Sequence, residues 1–235
     1  EQPFIIINCA AIPKENLDSE LFGHEKGAFE EATSKNKGKF ELASEGTLFL
    51  DEIGDMNINT QAKILRSLES KTFQRIGGGR TLHMDVRLIS SSNKNLEKEI
   101  ETGNFRKDLY FRLNVIPIIV PPLRDRKEDI PMLVDTFLEK LSNQSSEKKK
   151  TISENALNLL VDYEWPGNVR ELKNLLERLS IMIEKDHIDM EDIPQPYNPG
   201  CKPVKLAEKE LLLYEDDLSL AKKQFEKNFI KQKID

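Results

Sequence analysis

The sequence predicts an α/β architecture, a parallel sheet flanked by helices, followed by a small all-helical domain. Three observations carry this. Short apolar runs at residues 4–7, 47–50, 86–90 and 116–120 are continuous rather than alternating, as in strands covered on both faces of a parallel sheet. Between the second and third runs, Ala62, Leu65 and Leu68 recur at helical spacing on one face. After Pro121 and Pro122 the pattern turns helical throughout, so alternating strands and helices give way to helices alone.

Each element has its own warrant. Pro117 inside the fourth run points to an edge strand or a strand start. The charged stretch 124–129 follows the proline pair, and helices are expected over 130–141 and 154–163, with a polar, solvated loop at 142–150. Trp165-Pro-Gly-Asn168 ends the second of these helices. Asn168, with Glu171 three residues on, matches a capping box opening a third. Leu172, Leu175, Leu176, Leu179 and Ile183 form its buried stripe. Pro194, Pro196, Pro199, Gly200 and Pro203 read as a linker. Leu218, Ala221, Phe225, Phe229 and Ile234 then recur at helical spacing in a last helix whose apolar face needs a partner. The expected organisation is a partial α/β nucleotide-binding unit at 1–127, a helical lid at 128–193, a linker at 194–204 and the start of a further region at 205–235.

Composition bounds the function. Among 235 residues, 38% are apolar and 32% charged, an ordinary folded composition. No apolar run approaches the roughly 20 residues of a membrane span, and the first residues lack a secretory pattern. Cys9 and Cys201 are too far apart in sequence to suggest a disulfide framework or a zinc site, so a reducing cytoplasm is the expected location. A net charge of -6 argues against a surface that coats nucleic acid, though not against DNA binding by a segment elsewhere.

The strongest chemical signal is Gly46-Thr-Leu-Phe-Leu-Asp51-Glu52, an apolar strand ending in two carboxylates. The first acid can hold hydrated magnesium and the second can take a proton from water. On that pattern alone, a solvated acidic turn is an equal reading. Asn93, just past a neighbouring strand, faces the same crevice or simply caps a turn. Arg106 and Arg112 lie in one basic-aromatic segment, suited to stabilising a phosphoryl group from a neighbouring subunit or to pairing with Asp108 or Glu101. Arg170, in the first turn of its helix, favours an anion or pairs with an acid. His24, His83 and His187 have no ligand spacing, residues 90–92 lack a histidine partner, and residues 77–79 lack the Lys-Ser/Thr pair of a phosphate cradle.

Taken together, these residues resemble the central AAA+ domain of sigma-54-dependent bacterial enhancer-binding regulators. The resemblance runs over residues 3–192. It is carried by Asn8-Cys-Ala-Ala11, Glu20-Leu-Phe-Gly-His-Glu-Lys-Gly-Ala-Phe29, Gly46-Thr-Leu-Phe-Leu-Asp-Glu-Ile-Gly54, Phe105-Arg-Lys-Asp-Leu-Tyr-Phe-Arg-Leu113 and Trp165-Pro-Gly-Asn-Val-Arg-Glu-Leu172. It implies a RecA-like AAA+ sheet with a helical lid, and ATP with Mg2+ as cofactors. Asp51 and Glu52 become the Walker B pair, for metal and for water activation. Asn8 becomes the residue that restrains the catalytic glutamate, and Asn93 becomes sensor I. Arg106 and Arg112 become arginine fingers acting across a subunit boundary, and Arg170 becomes sensor II in the lid. Self-association into a ring or dimer is implied with them.

Two departures shape the expectation. The family's Gly-rich phosphate loop belongs before Pro3, so the chain as given is expected to bind ATP poorly or not at all. The family's sigma-contact loop reads Gly-Ala-Phe-Thr-Gly-Ala. Here it is Gly27-Ala28-Phe29-Glu30-Glu31-Ala32, which adds charge and restricts the turn, so the contact with sigma-54 is expected to be lost or altered. The tail is similar to the lead-in of a Fis-like helix-turn-helix, in the manner of NtrX-type nitrogen-regulation response regulators. That implies promoter DNA, a sensor kinase acting through a receiver domain, and an RNA polymerase sigma factor as partners. Two functions follow from different classes: an ATPase ring coupled to transcription, or a non-hydrolysing AAA+ scaffold of a DNA-binding regulator working with the ordinary sigma factor. A helicase or chelatase of the same superfamily fits the acidic pair but not residues 20–29.

Overall fold

The computed structural model describes residues 2–145 and 148–200. The expected last helix, the start of the further region and Cys201 lie outside the described residues. The chain divides into two compact units, Glu1–Ile118 and Ile119–Asp235.

In the first unit the elements run β1 (Phe4–Asn8), α1 (Leu17–Phe22), β2 (Gly23–His24), β3 (Asn36–Lys37), α2 (Lys39–Leu42), β4 (Thr47–Asp51), α3 (Ile58–Ser70), β5 (Thr72–Gln74), β6 (Thr81–His83), β7 (Arg87–Ser90), α4 (Leu96–Glu101) and α5 (Lys107–Leu113). Strands β1, β4 and β7 form a parallel sheet in the order β1-β4-β7. Parallel pairing requires the intervening helices, and the alternation of side chains sends Ile7, Leu48 and Leu50 into the core with Leu17, Leu21, Phe40, Ile64 and Leu109. Each such buried side chain contributes about 1.5–3 kcal/mol. Helix α3 starts where the Asn57 side chain accepts the Thr60 N–H at 2.8 Å and buries the face carrying Ile64 and Leu65.

The sheet differs from expectation in two ways. The run at 116–120 forms no strand. Ile116 is 81% and Ile119 90% exposed, because a strand exists only through ladder partners and none pairs with it among the described residues. Among the described residues, the sheet face opposite Ile7 is also left open, with Phe4 and Ile6 58% and 61% exposed.

The second unit contains α6 (Ile130–Ser145), β8 (Thr151–Ile152), α7 (Glu154–Asp162), α8 (Asn168–Met182) and β9 (His187–Ile188). Its core gathers Leu123, Ile130, Val134, Leu160, Leu172, Leu176 and Ile193 around Trp165, whose indole Nε1 donates to the Leu160 carbonyl at 2.7 Å. Helix α6 runs four residues beyond its expected end, into the polar stretch. Strand β8, just beyond that stretch, pairs in parallel with β9, and neither was expected from the sequence.

Candidate functional site

The register of the parallel sheet brings the first site residues together. Asn8 and Asp51 are paired across β1 and β4, and Leu50 pairs with Ser90, so the C-terminal ends of three strands converge where such sheets bind ligands. Asn8 Nδ2 donates to Asp51 Oδ2 at 3.3 Å, while its Oδ1 accepts the backbone N–H groups of Ala10 and Ala11 at 2.9 and 3.0 Å. The other Asp51 oxygen accepts the Ser91 hydroxyl. Two donors thus fix one carboxylate at an open strand end. Ser91 is a partner that the sequence reading missed; its only signal was its place one residue past β7.

Glu52 is held differently. Its backbone adopts φ 55° and ψ 50°, left-handed, where a side chain costs about 1–3 kcal/mol unless its surroundings impose it. The constraints are visible: Ile53 N–H donates to the Ser91 carbonyl at 3.0 Å, and Ser91 N–H donates to the Leu50 carbonyl at 2.9 Å. The turn aims the Glu52 side chain at the loop that follows β7, where Oε2 accepts the Asn93 N–H at 3.0 Å. In this structure Asn8 contacts Asp51, and Asn93 meets Glu52 through its backbone. The geometric cause is register, since Asn8 lies directly opposite Asp51.

The clustered negative charge shows in its neighbours. Burial first, and then Asp51, Asp55 and Glu52, push the Cys9 thiol up to about 12, so it stays protonated. Lys94 is raised above its ordinary value by its hydrogen bond to Asp55, which it meets at 2.6 Å.

Arg106 and Arg112 sit at the two ends of α5. The Arg106 guanidinium forks onto Asp108, with Nε at 3.0 Å and Nη2 at 2.6 Å from the two oxygens, and holds that carboxyl below its usual range. With Lys107, Asp108 and Phe111 it lines an open surface depression. Arg112 Nη2 donates to the Leu68 carbonyl at 3.2 Å. The pairing with Asp108 weighed from sequence is therefore present for Arg106.

The Gly27–Ala32 loop is a closed turn. Gly27 N–H donates to the Ala32 carbonyl at 2.8 Å and Ala32 N–H to the Phe29 carbonyl at 2.9 Å. Ala32 is buried, Glu30 and Glu31 are exposed, and the Phe29 ring meets His24 edge-on at 5.0 Å. The left-handed residue of this turn is Gly27, at φ 81°, and Glu31 does not need that conformation. The missing glycine therefore leaves no backbone strain here, contrary to expectation. Just before the loop, Glu25 is bound by Arg75, which also binds Glu41. At Gly77, φ 72°, an added Cβ would stand 2.7 Å from that of Ala28, so the β5–β6 turn presses directly on the loop.

In the second unit, Arg170 lies in the first turn of α8, is exposed, and has no ion-pair partner among the described residues. The turn before it is strained, with Trp165 at φ 48° and Asn168 at φ 53°. Asn168 does not cap α8 as expected. Its left-handed backbone carries the side chain outward, where Oδ1 accepts the Leu123 N–H at 2.8 Å. Glu171 instead reaches back to accept the Gly167 N–H, also at 2.8 Å. The segment read as a linker from 194 packs as far as Asn198: Tyr197 stacks on Trp165 with ring centroids 5.3 Å apart, and Asn198 is buried.

Among the described residues no three His, Cys, Asp or Glu side chains gather as a metal cluster. A divalent ion here would have Asp51 as its protein carboxylate, which suits Mg2+, a cation that keeps waters and takes its other ligands from phosphates.

Comparison with known proteins is consistent with this geometry. Residues 1–119 match the family model described as the sigma-54 interaction domain, and residues 124–207 match that of an AAA+ ATPase lid domain. The regulatory protein AtoC of Escherichia coli is 50% identical over 200 residues, spanning 85% of this chain and 43% of AtoC. A Nif-specific regulatory protein of Herbaspirillum seropedicae is 51% identical over 186 residues, spanning 79% of this chain and 34% of that protein. The crystal structure of NtrX from Brucella abortus in complex with ADP superposes with a TM-score of 0.77 at 36% identity, over 96% of this chain and 50% of NtrX. The NtrX structure in complex with ATP gives the same TM-score at 37% identity. The chain spans half or less of the length of these relatives.

Proposed function

The chain belongs to the sigma-54 interaction domain family, with an AAA+ fold and a helical lid, and from that premise we propose that it is the ATP-hydrolysing module of a bacterial transcription regulator, turning nucleotide state into self-assembly and control of transcription. The observation that carries this reading is the pair at the end of β4: Asp51 fixed by Asn8 and Ser91, and Glu52 turned left-handed so that one carboxylate oxygen rests on the Asn93 N–H.

The residues divide the chemistry. Asp51 would hold the cation through a carboxylate already oriented by two donors. Glu52 accepts the proton of the attacking water on the oxygen that Asn93 leaves free. Arg106 and Arg112 act across a subunit boundary on the phosphoryl group of a neighbouring site, and Asp108 keeps Arg106 forked until then. Arg170 reads the phosphates from the lid. Bound Mg2+ and ATP supply the transferring phosphoryl group and the neutralisation of its charge. The active unit is therefore a ring or dimer of this chain. The Gly27–Ala32 loop is its output surface toward an RNA polymerase sigma factor, with promoter DNA bound by a region C-terminal to the described residues and a sensor kinase acting through a receiver domain. No helix among the described residues is long and apolar enough to cross a membrane; the proposed location is the cytoplasm.

The test is ATP turnover by the full-length protein carrying this chain, with and without Glu52→Ala. Turnover lost by at least about a hundredfold supports the reading; equal turnover in both sinks it. A second reading, a non-hydrolysing scaffold working with the ordinary sigma factor, is favoured by Glu30 and Glu31 at the exposed tip of the output loop. Assembly on DNA without any turnover would select it.

A further inference from the structure

Gln61 is a polar side chain buried completely in the first unit, and every bonding position of its amide nitrogen is used. Its Nε2 donates to the Met56 carbonyl at 2.8 Å and to the Asn104 carbonyl at 2.9 Å, and its Oε1 accepts the Arg106 N–H at 2.8 Å. The two carbonyls and the single N–H fix which end of the amide is which. These partners belong to the two halves of the proposed chemistry. Met56 closes the short turn that begins at Glu52, since its N–H donates to the Ile53 carbonyl. Asn104 and Arg106 flank Phe105 and lead into α5, whose fold begins at Arg106. Helix α3 supplies the rigid arm, its start capped by Asn57.

We propose that Gln61 is a positioning residue for Arg106, setting the backbone from which that arginine reaches a neighbouring subunit and tying it to the turn that carries Glu52. The proposal rests on the reading of Arg106 as an arginine finger. A hydrophobic side chain of similar size would fill the space as well as Gln61 does. It would leave one backbone donor and two backbone acceptors, buried or partly buried, without the partner that Gln61 supplies. The amide is therefore there for direction as much as for packing.

The experiment uses the full-length protein with Gln61→Glu and, as a shorter arm that retains the amide, Gln61→Asn. Steady-state ATP turnover, ATP affinity by titration with Mg-ATP, and turnover of mixtures with Glu52→Ala protein are measured. The expected result is a fall in kcat of about 10- to 100-fold with ATP affinity changed less than about twofold, the size expected of a misplaced group outside the binding contacts. Adding either change to Arg106→Ala should lower turnover no further. A 1:1 mixture with Glu52→Ala protein, which brings an intact Arg106, should recover about a quarter of wild-type turnover, because each site of a head-to-tail ring draws on two subunits. A Gln61 variant that has lost its fold cannot be rescued this way. Failure of both variants to recover in the mixture, or additivity with Arg106→Ala, overturns the proposal. If Arg106→Ala itself retains turnover, the reading of Arg106 falls and this inference with it. If Arg106→Ala is inactive while both Gln61 variants match wild type, only this inference falls.

Discussion

Arg75 donates two N–H groups, Nε at 3.0 Å and Nη2 at 2.6 Å, to a single oxygen of Glu41. Its third bond, from Nη1 at 2.6 Å, goes to Glu25, two residues before Gly27. One largely buried guanidinium thereby joins the β5–β6 hairpin to both ends of the segment that presents the output loop. The chain adds two backbone links of its own, Ile76 N–H to the Gly23 carbonyl and Glu25 N–H to the Ile76 carbonyl.

Replacing Arg75 by Met keeps the volume and leaves two partly exposed carboxylates with Lys35 and Lys37 as their remaining cations. The expected cost is about 1–3 kcal/mol, below that of a fully buried pair because water still reaches Glu25 and Glu41. Urea unfolding of the chain measures it. Protease cleavage at Lys26 should accelerate in the same variant as the loop loosens, and an unchanged midpoint with unchanged cleavage would show that the network is decorative.

The same pairs predict an acid limb. The hydrogen bond from Arg75 holds Glu25 below its usual 4.5, and Arg106, Lys148 and Lys185 likewise hold Asp108, Asp186 and Asp189 below 3.8. A carboxyl whose folded pKa is depressed contributes stability above its unfolded pKa and loses it as pH falls through the folded value. Melting temperature should therefore drop as pH falls below about 5, and less steeply in Arg75→Met, where Glu25 keeps only the smaller depression that Lys35 supplies. Parallel acid limbs in the two proteins would contradict the assignment.

Glu52→Gly separates chemistry from stability. Glycine adopts the left-handed backbone of residue 52 freely, so the change should stabilise the chain, or at worst leave it unaltered, by up to about 1 kcal/mol while abolishing turnover in the full-length protein. A clear destabilisation in thermal unfolding would mean that the side chain's bond to Asn93 outweighs the strain.

Much of this was legible in the sequence, and the gaps have physical causes. The Leu48 and Leu50 strand, its acidic end, and the stripe of Leu172, Leu175, Leu176 and Leu179 were readable because periodicity records which face is buried. The run at 116–120 misled because apolar composition records a demand for neighbours, and composition cannot show whether a ladder partner is present. Ser91 and Gln61 were invisible for the opposite reason. Their roles depend on register between elements 40 or more residues apart, and a serine or glutamine looks the same in sequence whether it faces water or a buried carbonyl. At Asn168, the local pattern named the right residues, Asn and Glu, but the left-handed backbone redirected one of them to Leu123.

The aromatic clasp of the second unit gives the last test. Trp165 is the only tryptophan of the chain, and Tyr163 and Tyr197 enclose it, with Tyr197 stacked at 5.3 Å and Tyr163 edge-on at 5.1 Å. Burial first, and then the Glu171 carboxylate, push the Tyr197 hydroxyl up to about 12, so it remains neutral and packed across the physiological range. Tyr197→Ala removes the stacked ring and should cost about 1–3 kcal/mol, with a red shift of Trp165 emission and greater quenching by acrylamide as water enters. Tyr197→Phe keeps the stack and should leave emission close to wild type. If Tyr197→Ala left the emission unmoved, residues 194–198 would be a free linker in solution, as the prolines alone suggest, and the clasp would not hold the chain's exit from the lid.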